Sequence, residues 1–109
     1  MVKGEVHMID AKIAFDMTEN VYAQKLSNAE AVIEKEKPKI EKWIRKEISR
    51  GKYKLTIYYT QKEMHKYKTD FDAFKKKLSV LFGKELGYRV CCQIDMDGDL
   101  EVVIKWNLR

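Results

Sequence analysis

Histidine is nearly missing from this chain of 109 residues: it occurs twice, at His7 and His65. There is also no Gly-rich phosphate loop, no Walker motif and no nucleophile elbow, so the usual parts of a catalytic site are not assembled. Proline occurs once, at Pro38, and cysteine twice, as the adjacent pair Cys91 and Cys92. Adjacent residues on a strand point to opposite faces, so these thiols are not placed to bond each other and read as reduced. No apolar run approaches the ~20 residues of a membrane span. Met1-Val-Lys-Gly-Glu-Val-His-Met8 lacks the apolar stretch of a secretory signal. These absences argue against an enzyme, a disulfide scaffold and a membrane protein. They lead us to expect a cytoplasmic chain that needs no cofactor and no metal.

What is present is an ordinary globular composition, 45% hydrophobic and 36% charged, with a net charge of +5. The length suits a single domain spanning 1–109, with residues 1–8 as a flexible N-terminal extension. The excess charge is local. Residues 51–88 carry nine lysines against Glu63, Asp70, Asp72 and Glu85, whereas the flanking regions are close to neutral. That bias is compatible with nucleic acid without demanding it.

Residues 9 to about 50 read as helix. Tyr22, Leu26, Ala29, Ile33, Ile40 and Ile44 form one stripe, and Ile9, Ile13, Met17 and Val21 give the first turns a similar face. Pro38 removes a hydrogen bond from this pattern, but the stripe keeps its phase across it, which predicts one long helix kinked near Pro38. Gly51 supplies its stop. Tyr53-Lys-Leu-Thr-Ile-Tyr-Tyr59 alternates as a strand. Thr60 and Glu63 have capping-box spacing and open a second helix whose stripe runs Met64, Tyr67, Phe71, Phe74, Leu78, Leu81 and Phe82. Thr69 is placed to re-cap that helix after a break near Lys68, and Gly87 ends it. Tyr88–Asp95 and Leu100–Asn107 alternate on either side of Met96-Asp97-Gly98-Asp99, a hairpin.

The expected fold is therefore α+β, in the order α-β-α-β-β. A three-stranded mixed sheet would carry its helices on one face, with the first two strands made parallel by the helical crossover. Tyr53, Leu55, Ile57, Tyr59, Tyr88, Val90, Cys92, Ile94, Leu100, Val102, Ile104 and Trp106 would face the helices. Lys54, Thr56, Tyr58, Arg89, Cys91, Gln93, Glu101, Val103 and Lys105 would line the open face.

Three surfaces merit a functional reading. Forty-odd residues of helix reach about 60 Å, several times the length of a strand, so the first helix must overhang, fold back at Pro38, or pack on another molecule. An overhanging apolar segment implies a partner, a second copy included. Phe15, Val21, Tyr22 and Trp43 on the helix, with Tyr58 and Arg89 on the open sheet, are the candidate protein-interface residues, because aromatic and arginine side chains dominate interface energetics. Lys62, Lys66, Lys75, Lys76, Lys77 and Lys84 on the second helix, with Lys54, are the candidates for tracking phosphates, and Tyr58 and Arg89 for stacking a base. Asp95, Asp97, Asp99 and Glu101 place four carboxylates within seven residues, but strands rather than helices flank them, so they read as a solvated turn and not a calcium loop. Cys91 is the one candidate nucleophile, and no histidine is placed to act as its base.

Short stretches across the chain carry a resemblance: Met8-Ile-Asp-Ala-Lys12 as an opening, Arg50-Gly-Lys-Tyr53 before the first strand, Leu86-Gly-Tyr88 entering the second, and Gly98-Asp-Leu with Ile104-Lys-Trp106 at the close. In these the chain resembles small orphan proteins encoded by bacteriophages and prophages of low-GC bacteria. The resemblance implies a phage setting within the host cell, and it transfers no catalytic residue. The function expected is a non-enzymatic interaction protein that binds and modulates or inhibits a host or defence protein, or a phage partner, and self-associates through its first helix. A nucleic-acid binder and a minor virion structural component are the alternatives.

Overall fold

Asp10 begins the first helix by accepting the Ile13 backbone N–H at 2.8 Å, the N-cap bond that satisfies one of the donors a helix start leaves free. Helix α1 then runs unbroken from Ala11 to Ser49. In this computed structural model residues 9–107 are described; the reading of residues 1–8 as an extension lies outside them. Pro38 is exposed on the solvent side of α1, where water can serve the carbonyl that its missing N–H leaves without a donor. The helix therefore continues through it instead of dividing in two. The stop is a Schellman motif: the Gly51 N–H bonds the Ile48 carbonyl and the Lys52 N–H bonds the Glu47 carbonyl, with Gly51 at φ +75°, a conformation that favours glycine.

Strand β1 (Lys54–Tyr59) leads to α2 (Gln61–Lys66) through the capping box of Thr60 and Glu63. The second helix breaks where expected, but its new cap differs. Lys68 takes φ +57° and closes another Schellman turn. The N-cap of α3 (Phe71–Leu78) is Asp70, which accepts the Ala73 N–H at 2.9 Å. Thr69, the expected cap, turns away and donates its hydroxyl to the Lys25 carbonyl at 2.8 Å. Helix α3 continues as a π-helical segment, Ser79–Glu85. Strands β2 (Arg89–Ile94) and β3 (Leu100–Lys105) form the hairpin. Its turn has three residues, Met96 to Gly98, with the Gly98 N–H on the Asp95 carbonyl and Gly98 at φ +81°, the type I turn with a glycine bulge.

The sheet order is β1-β3-β2, and both pairings are antiparallel. This corrects the expected mixed sheet. β1 and β2 do run in the same direction, as the crossover requires, but β3 lies between them. The physical reason is composition. Leu100, Val102 and Ile104 on β3 are completely buried, so the most apolar strand takes the centre. The sparser face of β2 goes to an edge, where Ile94 stays exposed. The helices cover one face of the sheet, and the alternation of buried and open positions follows the expected registers except at Tyr53, expected to face the helices but exposed because it precedes the start of β1. The core joins Ala29, Ile33, Ile40 and Ile44 of α1 to Phe71, Phe74 and Leu78 of α3, to Phe82, and to the inner face of the sheet. Tyr59 meets the Phe74 ring edge-on at 4.7 Å. No helix among the described residues is long and apolar enough to cross a membrane.

Candidate functional site

The long helix outruns what there is among the described residues to cover it. Its buried residues are Ala29, Ile33, Ile40 and Ile44, all in the part that crosses α3 and the sheet. Every residue from 9 to 21 is exposed, so the N-terminal turns project from a molecule measuring 70 × 29 × 24 Å. Ile9, Ile13, Phe15, Met17 and Val21 each keep about half or more of their surface in water, with Phe15 at 64%. At about 100° per residue, Phe15 continues the buried stripe through Tyr22 and Ala29, whereas Ile13 and Met17, expected on a similar face, lie on the opposite side. The projecting segment is thus apolar on two sides. Its charged residues are Asp10, Lys12, Asp16 and Glu19. A solvated helix normally keeps its apolar residues to one side, and a helix apolar all round is one that is buried.

Support for α1 begins at a polar latch. Asn28 donates its side-chain N–H to the Lys68 carbonyl at 2.8 Å, Thr69 donates to the Lys25 carbonyl, and Lys25 pairs with Asp70 at 3.1 Å. The Asp70 carboxyl is pushed up by its partial burial, but the backbone N–H of Ala73 and the Lys25 ammonium outweigh that, and its pKa is held below the ordinary carboxylate range. On the other flank Lys77 pairs with Glu30 at 3.3 Å, and the Lys76 ammonium sits over the Tyr22 ring, 5.6 Å from its centre.

Beside Tyr22 lies an open groove of about 680 Å³, running from α1 over the outer side of α3 and the π-helical segment to Cys92 on β2. Its lining carries Lys75, Lys76 and Lys84 against one acid, Asp72, together with Val80. Burial pushes the Cys92 thiol up, against the pull of the Lys75 ammonium.

The open sheet face is a grid set by the strand registers. Lys54, Lys105 and Arg89 lie side by side across the three strands, then Thr56, Val103 and Cys91, then Tyr58, Glu101 and Gln93. The last row is satisfied within itself: Tyr58 and Gln93 both donate to the Glu101 carboxylate, and the Tyr58 phenol is raised chiefly by that bond. The first row is three cations with no carboxylate paired to them among the described residues, although like charges in register repel; Arg89 donates to the Asn107 carbonyl at 2.7 Å.

The expected site residues are therefore divided. Phe15 and Val21 project freely. Tyr22 and Trp43 are half-buried and pack against the core, with Lys39 over the Trp43 ring. Tyr58 and Arg89 share a face, but they lie four residues apart along the strands, about 13 Å, and on opposite edges, so they do not form one stacking site. The lysines are not a single track: Lys62 and Lys66 stand on α2, Lys75, Lys76 and Lys84 border the groove, Lys77 is paired with Glu30, and Lys54 belongs to the open face. Sequence reasoning placed Lys105 on that face without pairing it with Lys54 and Arg89, because the order of the strands was needed. In the hairpin turn Asp95 Oδ1 accepts the backbone N–H groups of Asp97 and Asp99, so this carboxylate is used in building the turn. Compared with protein-family models, curated proteins and solved structures, the chain finds no match in any of the three.

Proposed function

We propose that this chain is a non-enzymatic interaction protein whose docking element is the projecting N-terminal part of α1. The observation that carries the reading is the coincidence of two properties in residues 9–21: exposure at every position and large apolar side chains on two sides. Leaving that much apolar surface in water is costly, and a contact that removes it supplies binding energy. The resemblance to phage-encoded orphan proteins gives the proposal its setting, a host or defence protein bound and modulated in the host cell. A non-enzymatic role suits Cys91, whose in-register neighbour is Val103 rather than a base.

The test is a tagged pull-down from bacterial lysate treated with nuclease, comparing the wild type with Phe15→Asp and Val21→Asp. Both positions are exposed, so the variants fold. The reading expects a protein retained by the wild type and released by both variants; retention by all three refutes it. A second reading, polyanion or nucleic-acid binding, is favoured by the cation row Lys54, Lys105 and Arg89. It expects a nuclease-sensitive signal that falls steeply with salt and is lost in Lys54→Glu with Lys105→Glu.

A further inference from the structure

We propose that the partner of the projecting helix is a second copy of this chain, and that the N-terminal turns of each copy lie antiparallel in the basic groove of the other. The inference rests on the reading of residues 9–21 as a docking element and adds its occupant, so that a host protein released by Phe15→Asp is one that binds the paired form.

Charge decides between occupants. The projecting segment carries Asp10, Asp16 and Glu19 against Lys12, two negative charges in excess. The groove carries Lys75, Lys76 and Lys84 against Asp72, two positive charges in excess. The two surfaces are on one chain, and each has the sign the other lacks. The lining also offers apolar contact from two elements, Tyr22 of α1 and Val80 of the π-helical segment. When two α1 helices lie antiparallel about a two-fold axis, each N-terminus points at the other copy's Tyr22, where the groove begins. The contact is then isologous and closed, with every copy both giving and receiving.

The area is sufficient. Five apolar side chains about half exposed leave roughly 500 Å² per copy in water, so mutual coverage hides on the order of 1,000 Å² before the polar rim is counted, the scale that a specific interface requires.

Charge reversal separates this arrangement from any other. One variant carries Asp16→Lys and Glu19→Lys on the projecting segment, and another carries Lys76→Glu and Lys84→Glu in the groove. All four positions are exposed, and circular dichroism checks that both variants fold. Light scattering after gel filtration of the full chain, at micromolar concentration and low salt, is expected to give twice the 12.9 kDa chain mass for the wild type and the single-chain mass for each variant. An equal mixture of the two variants is expected to regain the doubled mass, since each reversed helix then meets a reversed groove. A monomeric wild type, a dimer indifferent to both reversals, or a mixture that stays monomeric overturns the proposal. If the wild type is monomeric but Phe15→Asp still releases a lysate protein, the docking element stands and the second copy is wrong. If Phe15→Asp releases nothing either, both readings fall together.

Discussion

Replacing Tyr59 by phenylalanine should stabilise the protein, and the gain should grow in alkali. Tyr59 is 4% exposed, and its hydroxyl has no hydrogen-bond partner among the described residues. A buried polar group without a partner costs about 1–3 kcal/mol. Phenylalanine removes that cost, keeps the edge-on contact with Phe74, and leaves a void smaller than a methyl group. The net expectation at neutral pH is a gain of about 1 kcal/mol, or roughly 4–8 °C in Tm for a domain of this size. Burial first, and the carboxylates of Glu36 and Glu63 second, push the Tyr59 phenol well above its ordinary value near 10. The unfolded chain therefore releases this proton from about pH 10, while the folded protein holds it. The stability that the neutral phenol carries is complete below pH 10 and is lost as pH rises toward the folded value. At one unit above 10 the loss is about 1.4 kcal/mol, and phenylalanine does not suffer it. Urea denaturation of both proteins at pH 7 and pH 11 reads the difference, in which every other titrating group cancels. A Tyr59→Phe variant that is less stable at pH 7 by about 1 kcal/mol or more would show that the hydroxyl makes a useful bond. A gap that fails to widen at pH 11 would refute the assignment of the raised phenol.

Three further outcomes follow from the latch and the break between α2 and α3. Lys68→Gly relieves a left-handed residue that costs about 1–2 kcal/mol, less the extra freedom glycine gives the unfolded chain, so urea melts should show a gain of several tenths. Asn28→Ala removes the bond to the Lys68 carbonyl and should cost about 1 kcal/mol in the same assay. Asp70→Asn keeps a capping side chain but loses the charge: because the folded Asp70 pKa is lowered, its contribution is present above the ordinary carboxylate pKa and is lost as pH falls through the folded value, so variant and wild type should converge in acid melts.

Much of the architecture was legible because it is written locally. The α1 stripe, the Gly51 stop, the Thr60 capping box and the alternation of three strands each follow from a few neighbouring residues, and each formed where expected. The misses are the features that depend on distant partners. Nothing near Lys68 marks it for a left-handed conformation, which the closing of α1 over the chain there selects. Asp70 displaced Thr69 as cap because the Thr69 hydroxyl found the Lys25 carbonyl, 44 residues away. Strand order depended on which strand most needed the centre. The projecting helix was only half legible: periodicity announces an apolar face, but not whether the rest of the chain is long enough to reach it. The same limit applies to the groove, whose walls come from α1, α3 and β2, and to the cation row, which exists only once Lys54 and Arg89 flank Lys105.

A single rod held from Lys25 to Ile44 and unheld over its outer turns has a graded resistance to unwinding. An isolated helix of a dozen residues is marginal in water, so the outer amides of α1 draw their persistence from the turns inboard of them. Their exchange with solvent deuterium should slow progressively from Ile13 toward Ile33 as opening begins to require disruption of the core. The same bond network thus reads out, residue by residue, how far along the rod a neighbour has come to rest.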